Sequence, residues 1–263
     1  MFASPGQIAF RLFNFPIHWY GITMAFAIIV GLSFVSFIRR RYYNHIPREF
    51  VLDLSFYLIL GGIIGARLYY VVLDAEFYLK HPLEMIAVWH GGLSIHGAII
   101  GSIIVGAFII KKYNQNFFEI ADLFSYGLVL GQSIGRWGNF FNSEAFGIPT
   151  NLPWKVFIPI ESRPIQFFNV NYFHPTFLYE SIANLFILLV LFFILRKKEK
   201  NVPGGIFFSY LIMYSVVRYC IESLRLDSIL NIAGIPIAQV VSILFLMVGL
   251  VGLISVNRYS KDN

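Results

Sequence analysis

Charged residues and cysteine are both scarce in this chain. Only 13% of its 263 residues are charged, whereas a soluble globular domain has about 25%. The single cysteine, Cys220, excludes an intramolecular disulfide. The sequence also has no CxxC or HExxH pattern typical of a metal site, no tandem repeat and no low-complexity tract. These absences leave a fold without internal disulfides and with no sequence evidence for a metal.

Apolar residues are correspondingly abundant. They make up 57% of the chain, against about 45–50% in an average soluble domain, and the mean hydropathy is +0.69. Apolar stretches of about 20 residues are long enough to cross a bilayer. We identify seven, at 19–38, 51–73, 94–110, 118–137, 177–195, 203–222 and 235–256. The first lacks a basic leader and a cleavage site, which favours a retained helix. We therefore predict an all-α fold, a polytopic membrane bundle of seven transmembrane helices.

The distribution of lysine and arginine among the loops predicts the orientation, because such residues accumulate on the cytoplasmic side. Twelve lie in one set of loops: Arg39, Arg40, Arg41, Arg48, Lys111, Lys112, Arg196, Lys197, Lys198, Lys200, Arg258 and Lys261. Six lie in the other: Arg11, Lys80, Arg136, Lys155, Arg163 and Arg225. We expect the amino terminus outside and the carboxy terminus in the cytoplasm.

The net charge of +6 therefore needs no nucleic-acid partner. Basic residues beside helix ends attract anionic membrane lipids by about 1 kcal/mol each. One sizeable segment, 140–176, lies between two of the apolar stretches. It is rich in Pro, Asn and Phe and is too short for an independent domain. We expect one integral membrane domain, 1–263, in which 140–176 is a small extracytoplasmic cap.

Polar residues occur near the predicted outer ends of the helices. They are Tyr20, Arg67, His90, His96, Arg136, Asn139, His174, Tyr179 and Glu180. An ionisable group within a bilayer costs at least about 2.5–3.5 kcal/mol, so such groups face a protein interior or a wet cavity. We therefore expect these side chains to converge on one site.

The sixth apolar stretch ends with charged residues on one helical face. Arg218, Glu222 and Arg225 follow an i, i+4, i+7 spacing. Two arginines for one carboxylate leave a positive surplus, to which Arg136 and Arg67 add. Guanidinium groups bind phosphate oxygens through paired donors, so the pattern favours a phosphate site. A structural ion-pair ladder is the alternative for Glu222.

Other candidates also have plain structural alternatives. Arg67 is also compatible with snorkelling to the membrane surface, and Tyr20 with the aromatic belt. His96 is also compatible with a packing role, although the glycines around it leave room for a ligand.

The stretch "GQSIG", Gly131 to Gly135, matches the nucleophile elbow of α/β hydrolases. It lies within a predicted membrane helix and lacks the strand–turn–helix context, so we interpret it as a chance match.

The segment "GRWGNFFNSEAFG", Gly135 to Gly147, resembles the signature of the prolipoprotein diacylglyceryl transferase family. The stretches "HWYGI", "GGIIGARLYY", "HGGLSIHGAIIG", "HPTFLYES" and "RYCIESLR" resemble further family blocks, in family order. One departure is Phe177, where the family pattern leads us to expect Gln and a polar contact.

The resemblance implies transfer of the diacylglyceryl group of phosphatidylglycerol to the lipobox cysteine of a preprolipoprotein signal peptide. It implies a bacterial cytoplasmic membrane and no metal or organic cofactor. The catalytic residues it implies are His96, Arg136 and Arg218. The implied substrate-binding residues are Tyr20, Arg67, Asn139, Asn142, Glu144, Gly147, Glu222 and Arg225. We expect Glu144 and Glu222 to hold the arginines rather than perform chemistry.

Two other classes are weaker. An anion transporter or channel would also use an arginine-lined outer vestibule. It predicts polar residues through the whole membrane depth, whereas inner halves such as "IIVGLSFVSFI" and "LFILLVLFFIL" are nearly all apolar. A CDP-alcohol phosphatidyltransferase needs metal-binding aspartates near a Gly-x-x-x-Ala-Arg run, and "GARLYY" lacks them.

Overall fold

The structure, a computed structural model, describes residues 2–195, 202–226, 231–232 and 234–262. It is mostly helical, at 71%. The chain divides into two compact units. Unit 1 comprises Met1–Phe37 and Ala121–Asn263, and unit 2 comprises Ile38–Ile120. Four of the basic residues used to predict the orientation lie outside the described residues: Arg196, Lys197, Lys198 and Lys200.

The described α-helices are α1 (Trp19–Tyr42), α2 (Arg48–Leu73), α3 (Ala75–Lys80), α4 (Ile95–Lys112), α5 (Phe117–Asn142), α6 (Thr176–Val190), α7 (Gly205–Glu222) and α8 (Ile237–Asp262). A π-helical turn, Leu191–Leu195, extends α6. Within the described ranges, six helices are long and apolar enough to cross a membrane: α1, α2, α4, α6 with its extension, α7 and α8. These helices confirm a polytopic membrane protein. The α5 helix has 26 residues, as α2 has, but polar residues along it lower its hydropathy.

Unit 2 is built on close packing of α2 against α4. Gly61 and Gly65 of α2 face Gly97 and Gly101 of α4, and a Cβ at Gly101 would lie 2.9 Å from the Gly65 Cα. Small residues let helix backbones approach this closely. The helices are joined by α3 and two short 3-10 helices, Pro82–Met85 and Val88–His90.

Unit 1 begins with a β-hairpin that the all-α prediction omits. Strands β2 (Ile8–Leu12) and β3 (Phe15–His18) pair antiparallel. The turn residues Phe13 and Asn14 both have positive φ, +46° and +69°, the backbone conformation that matches the twist of a two-residue hairpin. The α1 helix starts at the next residue, Trp19, so the hairpin is attached directly to a membrane helix.

The predicted cap segment also contains short strands. Strands β4 (Val156–Phe157) and β5 (Tyr172–Phe173) form a sheet in the order β1-β4-β5 with β1 (Phe2–Ala3). Two further 3-10 helices, Ile160–Ser162 and Ile165–Phe167, lie between β4 and β5. The buried apolar core of this region is Phe146, Val156, Ile158, Phe173 and Phe177. Strands β6 (Asn231–Ile232) and β7 (Ile235–Pro236) form a separate hairpin.

Helix α5 is longer than the predicted stretch 118–137 and extends to Asn142. The first eight of the thirteen residues of the signature segment are therefore helical. Aromatic packing stabilises these extra turns, since Phe141 stacks on Trp19 with ring centroids 4.9 Å apart. In the middle of α5, the Ser133 hydroxyl donates to the Ser181 carbonyl at 2.9 Å. This buried helix-to-helix contact gives the "GQSIG" serine a packing role.

Candidate active site

The centre of the polar cluster in unit 1 is a buried carboxylate, Glu180 of α6. Its side chain is 1% exposed and forms ion pairs with Arg136 of α5 and Arg218 of α7. The Arg218 Nη1 atom lies 3.4 Å from Glu180 Oε2. The Tyr214 hydroxyl also donates to this carboxylate, at 3.4 Å. One carboxylate thus connects three helices whose residues lie far apart in the sequence.

A second buried carboxylate, Glu222, continues the cluster along α7. Arg218 Nη2 lies 2.7 Å from Glu222 Oε2, and Arg225 Nε lies 4.0 Å from it. The predicted ion pairs are therefore present, but the helical face ends at Glu222, because Arg225 lies beyond α7 and its backbone bridges to Gly147. These ion pairs do not exclude a binding role, because the three guanidinium groups are more exposed than the two carboxylates with which they pair.

The two charge types differ in exposure. The Glu180 and Glu222 side chains are 1% and 4% exposed, whereas those of Arg136, Arg218 and Arg225 are 23%, 18% and 14% exposed. The carboxylates therefore lie behind the guanidinium groups, and the positive groups face the accessible side. This arrangement is chemically suited to bind an anion.

The signature segment adds a polar turn beside Arg136. The Arg136 Nη1 atom donates to Asn139 Oδ1 at 3.4 Å. Glu144 Oε1 accepts hydrogen bonds from Asn139 Nδ2 at 2.8 Å and from Asn142 Nδ2 at 3.4 Å. Glu144 was expected to hold an arginine, but the carboxylate that pairs with Arg136 is Glu180. Glu144 instead orients the two asparagines.

Gly147, at the end of the signature segment, lies where three chain segments meet. Its backbone N–H donates to the His174 carbonyl at 2.8 Å, and the next residue, Ile148, donates to the Leu224 carbonyl at 2.8 Å. A Cβ at position 147 would lie 2.7 Å from that Leu224 oxygen. Only glycine fits without moving backbone, so Gly147 joins the signature to the ends of α6 and α7.

Tyr20 lies at the start of α1 and packs on the signature helix. A Cβ at Gly138 would lie 2.9 Å from the Tyr20 ring, so this glycine makes room for the tyrosine. The Tyr20 side chain is not enclosed, with 37% of its residue surface exposed. The Tyr20 side chain therefore packs against α5 and also has an exposed surface that a ligand can contact.

Phe177, the departure from the family pattern, occupies an apolar environment. It is 3% exposed, and its ring lies 5.1 Å from that of Phe140 and 5.8 Å from that of Trp137. An aromatic cluster thus replaces the polar contact expected there. Phe177 is part of the apolar core of this region, and the arginine cluster is present beside it.

Two predicted site residues belong to unit 2. His96 lies in the first turn of α4, where it is exposed and its ring centroid is 6.2 Å from that of Tyr69. Arg67 is buried, and its guanidinium donates to the backbone carbonyls of residues 84–92. This environment favours a structural role for Arg67 over the predicted contact with substrate. Among the described residues, no three His, Cys, Asp or Glu side chains are grouped to hold a metal ion.

Glu180 was expected at the outer boundary, but no role was predicted for it. The available signal was a lone carboxylate in an otherwise apolar helix, "TFLYESIANLFILLV". An ionisable residue in such a segment indicates a functional site by default. Its pairing with Arg136 and Arg218 depends on helix packing, which spacing within one helix does not reveal.

The fold and this cluster define a polytopic membrane protein in which partly exposed arginines pair with buried carboxylates. The sequence model of the prolipoprotein diacylglyceryl transferase family matches residues 7–255. The chain is also similar to proteins named phosphatidylglycerol–prolipoprotein diacylglyceryl transferase. It is 45% identical to the Nostoc sp. protein over 96% of this chain and 90% of the relative. It is 45% identical to the Synechocystis sp. protein over 99% of this chain and 93% of the relative. It is 42% identical to the Thermosynechococcus vestitus protein over 96% of this chain and 92% of the relative. The chain therefore belongs to the prolipoprotein diacylglyceryl transferase family.

Proposed function

We propose that this protein transfers the diacylglyceryl group of phosphatidylglycerol to the lipobox cysteine thiol of a preprolipoprotein. The products are a thioether and glycerol 1-phosphate. Family membership and the names of the relatives support the reaction and its two substrates. The structural observation that carries the proposal is the cluster of Arg136 and Arg218 around buried Glu180. The family and these relatives are transferases, so they give the anion transporter alternative no support.

The proposed reaction places negative charge on a phosphate. A thiolate sulfur forms a bond to the glycerol carbon, the bond from that carbon to the phosphate oxygen breaks, and its electron pair remains on the phosphate. Donors directed at this oxygen stabilise the transition state more than the ground state. We assign this role to Arg136 and Arg218, whose guanidinium groups offer paired donors to phosphate oxygens.

The remaining residues of unit 1 support these arginines. Glu180 and Glu222 hold the guanidinium groups in place from the buried side. Tyr20 and Asn139 position substrate, while Arg225 adds positive charge beside Glu222. Asn142 and Glu144 orient Asn139, and Gly147 closes the turn that follows. The mechanism uses no metal or organic cofactor.

The thiol requires a means of losing its proton, because a free thiol has a pKa near 8.5 and only a few per cent is ionised at neutral pH. We assign this step to His96, as a general base or as a residue that orients the thiol. Its position in the first turn of α4 and its exposure make the ring accessible to a substrate.

We also propose that α5 is the seventh transmembrane helix. Its 26 residues correspond to about 39 Å of helix, which exceeds the ~30 Å hydrocarbon core. Seven spans place the two termini on opposite sides, with the amino terminus outside as the lysine and arginine distribution predicts. The cap segment is then extracytoplasmic, where a lipobox cysteine reaches the outer leaflet.

The test is a reconstituted transfer assay. Purified protein in detergent is incubated with phosphatidylglycerol and a synthetic lipobox peptide, and mass spectrometry measures diacylglyceryl addition to the cysteine. A peptide with serine in place of that cysteine is the control. Absence of the mass shift beside an active family member overturns the proposed function.

A further inference from the structure

Arg67 is unusual in that backbone oxygens occupy every one of its donors. The guanidinium of an arginine has five N–H groups. In this structure Nε donates to the Met85 carbonyl at 3.0 Å, and Nη1 donates to those of Gly91 at 2.6 Å and Gly92 at 2.9 Å. The Nη2 atom donates to the carbonyls of Ala87 at 3.2 Å and Glu84. We call this set of five oxygens the carbonyl cage.

The cage satisfies Arg67 without a carboxylate. Within the part of the chain that the structure describes, no ion pair involves Arg67. Its charge is stabilised instead by carbonyl dipoles and by the Tyr78 ring, whose centroid lies 5.1 Å from the guanidinium carbon. Arg67 is only 6% exposed. It therefore does not snorkel, and it has no donor left for a phosphate.

The carbonyl cage also fixes the segment of chain that leads into α4. The carbonyl of Ala66, next to Arg67, accepts the Ser94 N–H at 3.1 Å, and α4 begins at the following residue. Gly91 and Gly92 have positive φ values of +87° and +70°, which point their carbonyls at the guanidinium. Adjacent residues of α2 thus hold both the segment before α4 and its first turn, which carries His96.

We propose that Arg67 is a positioning residue that sets the location of His96 by ordering residues 84–94. The inference rests on the role that the proposed function gives His96. Arg67 itself touches neither phosphate nor thiol in this assignment. A lysine cannot replace it, because an ammonium has three donors and no planar fork to reach five carbonyls.

The first test is Arg67→Lys in the purified full-length protein. Hydrogen exchange of the amides of residues 84–95 should accelerate, while exchange of the later turns of α4 should stay as in the wild type. In the transfer assay, kcat should fall about 10²-fold, the loss typical of a misplaced reacting group, with KM for phosphatidylglycerol unchanged. Arg163→Lys is the matched control, since Arg163 also donates to two backbone carbonyls, at 2.8 Å each, but lies in the cap segment of unit 1. It should change neither measurement.

A second variant perturbs the cage without changing any charge. A Cβ at Gly92 would lie 2.6 Å from Arg67 Nη1 and 3.0 Å from the Tyr78 hydroxyl. Gly92→Ala should therefore displace the guanidinium, and because Gly92 has a φ of +70° it also strains the backbone of the cage, so it should reproduce both effects of Arg67→Lys. If the Arg67→Lys protein does not accumulate in cells, Gly92→Ala tests the inference in its place.

Kinetic additivity shows whether Arg67 acts through His96. Residues that act as one unit have losses that do not add, so Arg67→Lys should reduce kcat little further in a His96→Gln background. An inactive wild-type protein would refute the proposed function, while the exchange measurement would still test the cage. Unchanged exchange at residues 84–95 in both variants overturns the inference. A raised KM for phosphatidylglycerol with normal exchange would do so too, because it would place Arg67 on the lipid phosphate.

Discussion

Glu180→Gln is the substitution that tests the organisation of the arginine cluster most directly. Glutamine keeps the shape of the side chain and one acceptor oxygen but removes the negative charge. Glu180 is 1% exposed and pairs with both Arg136 and Arg218. The change therefore leaves Arg136 facing a neutral amide, while Arg218 keeps Glu222 as a partner at 2.7 Å.

The expected loss of stability follows from the burial of this pair. Removing one partner of a fully buried ion pair costs about 3–5 kcal/mol. The arginine side chains remain 23% and 18% exposed, and water offsets part of the loss, so we expect about 3 kcal/mol. For a chain of this size, 1 kcal/mol shifts the melting temperature by about 2–4 °C, which gives a decrease of roughly 6–12 °C.

The measurement is thermal unfolding of the purified protein in detergent, followed together with transfer activity. Glu76→Gln is the matched control, because Glu76 pairs with Lys80 at 2.7 Å with side chains that are 86% and 66% exposed. Such a surface pair contributes about 0–1 kcal/mol. Equal melting temperatures for the two variants would refute the reasoning.

A double variant separates charge balance from chemistry. If uncompensated charge destabilises Glu180→Gln, then Glu180→Gln with Arg136→Gln should be more stable than Glu180→Gln alone. Transfer activity should nevertheless stay low, since the proposed phosphate ligand Arg136 has been removed. A double variant less stable than both single variants would show that Glu180 acts through packing and not through charge.

Three further results are expected. Arg136→Lys should lower turnover about 10²–10³-fold at normal abundance, because a point donor replaces a planar fork directed at a developing anion; near-normal turnover would remove Arg136 from the mechanism. His96→Gln should lower the rate about 10²–10⁴-fold and remove the acid limb of the pH–rate profile if His96 is a general base; a few-fold loss with an unchanged profile would make it a packing residue. In a Cys220→Ser background, a cysteine near Asn151 should react with an impermeant thiol reagent outside intact cells and one near Asn114 should not; the reverse would invert the proposed topology.

The membrane helices were predictable because one property, apolar length, determines them. Their ends were less predictable, as α5 shows. Its last turns carry polar residues that reduce the apolar signal, yet aromatic contacts such as Trp19 on Phe141 keep the chain helical to Asn142. The β2–β3 hairpin was missed for the opposite reason. Its two strands have five and four residues, and no hairpin dipeptide of the Asn-Gly type marks the turn.

One part of the candidate site follows from spacing along a single helix, and the other part depends on how the helices pack. The pairing of Arg218 with Glu222 was predictable because helical spacing alone brings these residues together, whereas Arg225 lies beyond the end of α7. The pairing of Glu180 with Arg136 depends on which faces of α5 and α6 meet, and a single sequence does not contain that. The same limit applies to Arg67, whose carbonyl partners lie on a segment without regular spacing.

The distribution of charge in unit 1 favours binding over stability as the reason for the network. Buried ion pairs contribute little net stability, because desolvation cancels much of the attraction, and apolar residues of similar volume often do as well. Here the two carboxylates are 1% and 4% exposed while the three arginines are 14% to 23% exposed, so the groups that remain accessible to a ligand are positive. The buried carboxylates fix the guanidinium groups before any ligand arrives, so little reorganisation is needed when negative charge develops in front of them. In the proposed function, that negative charge develops on the phosphate of the lipid as the bond to the glycerol carbon breaks.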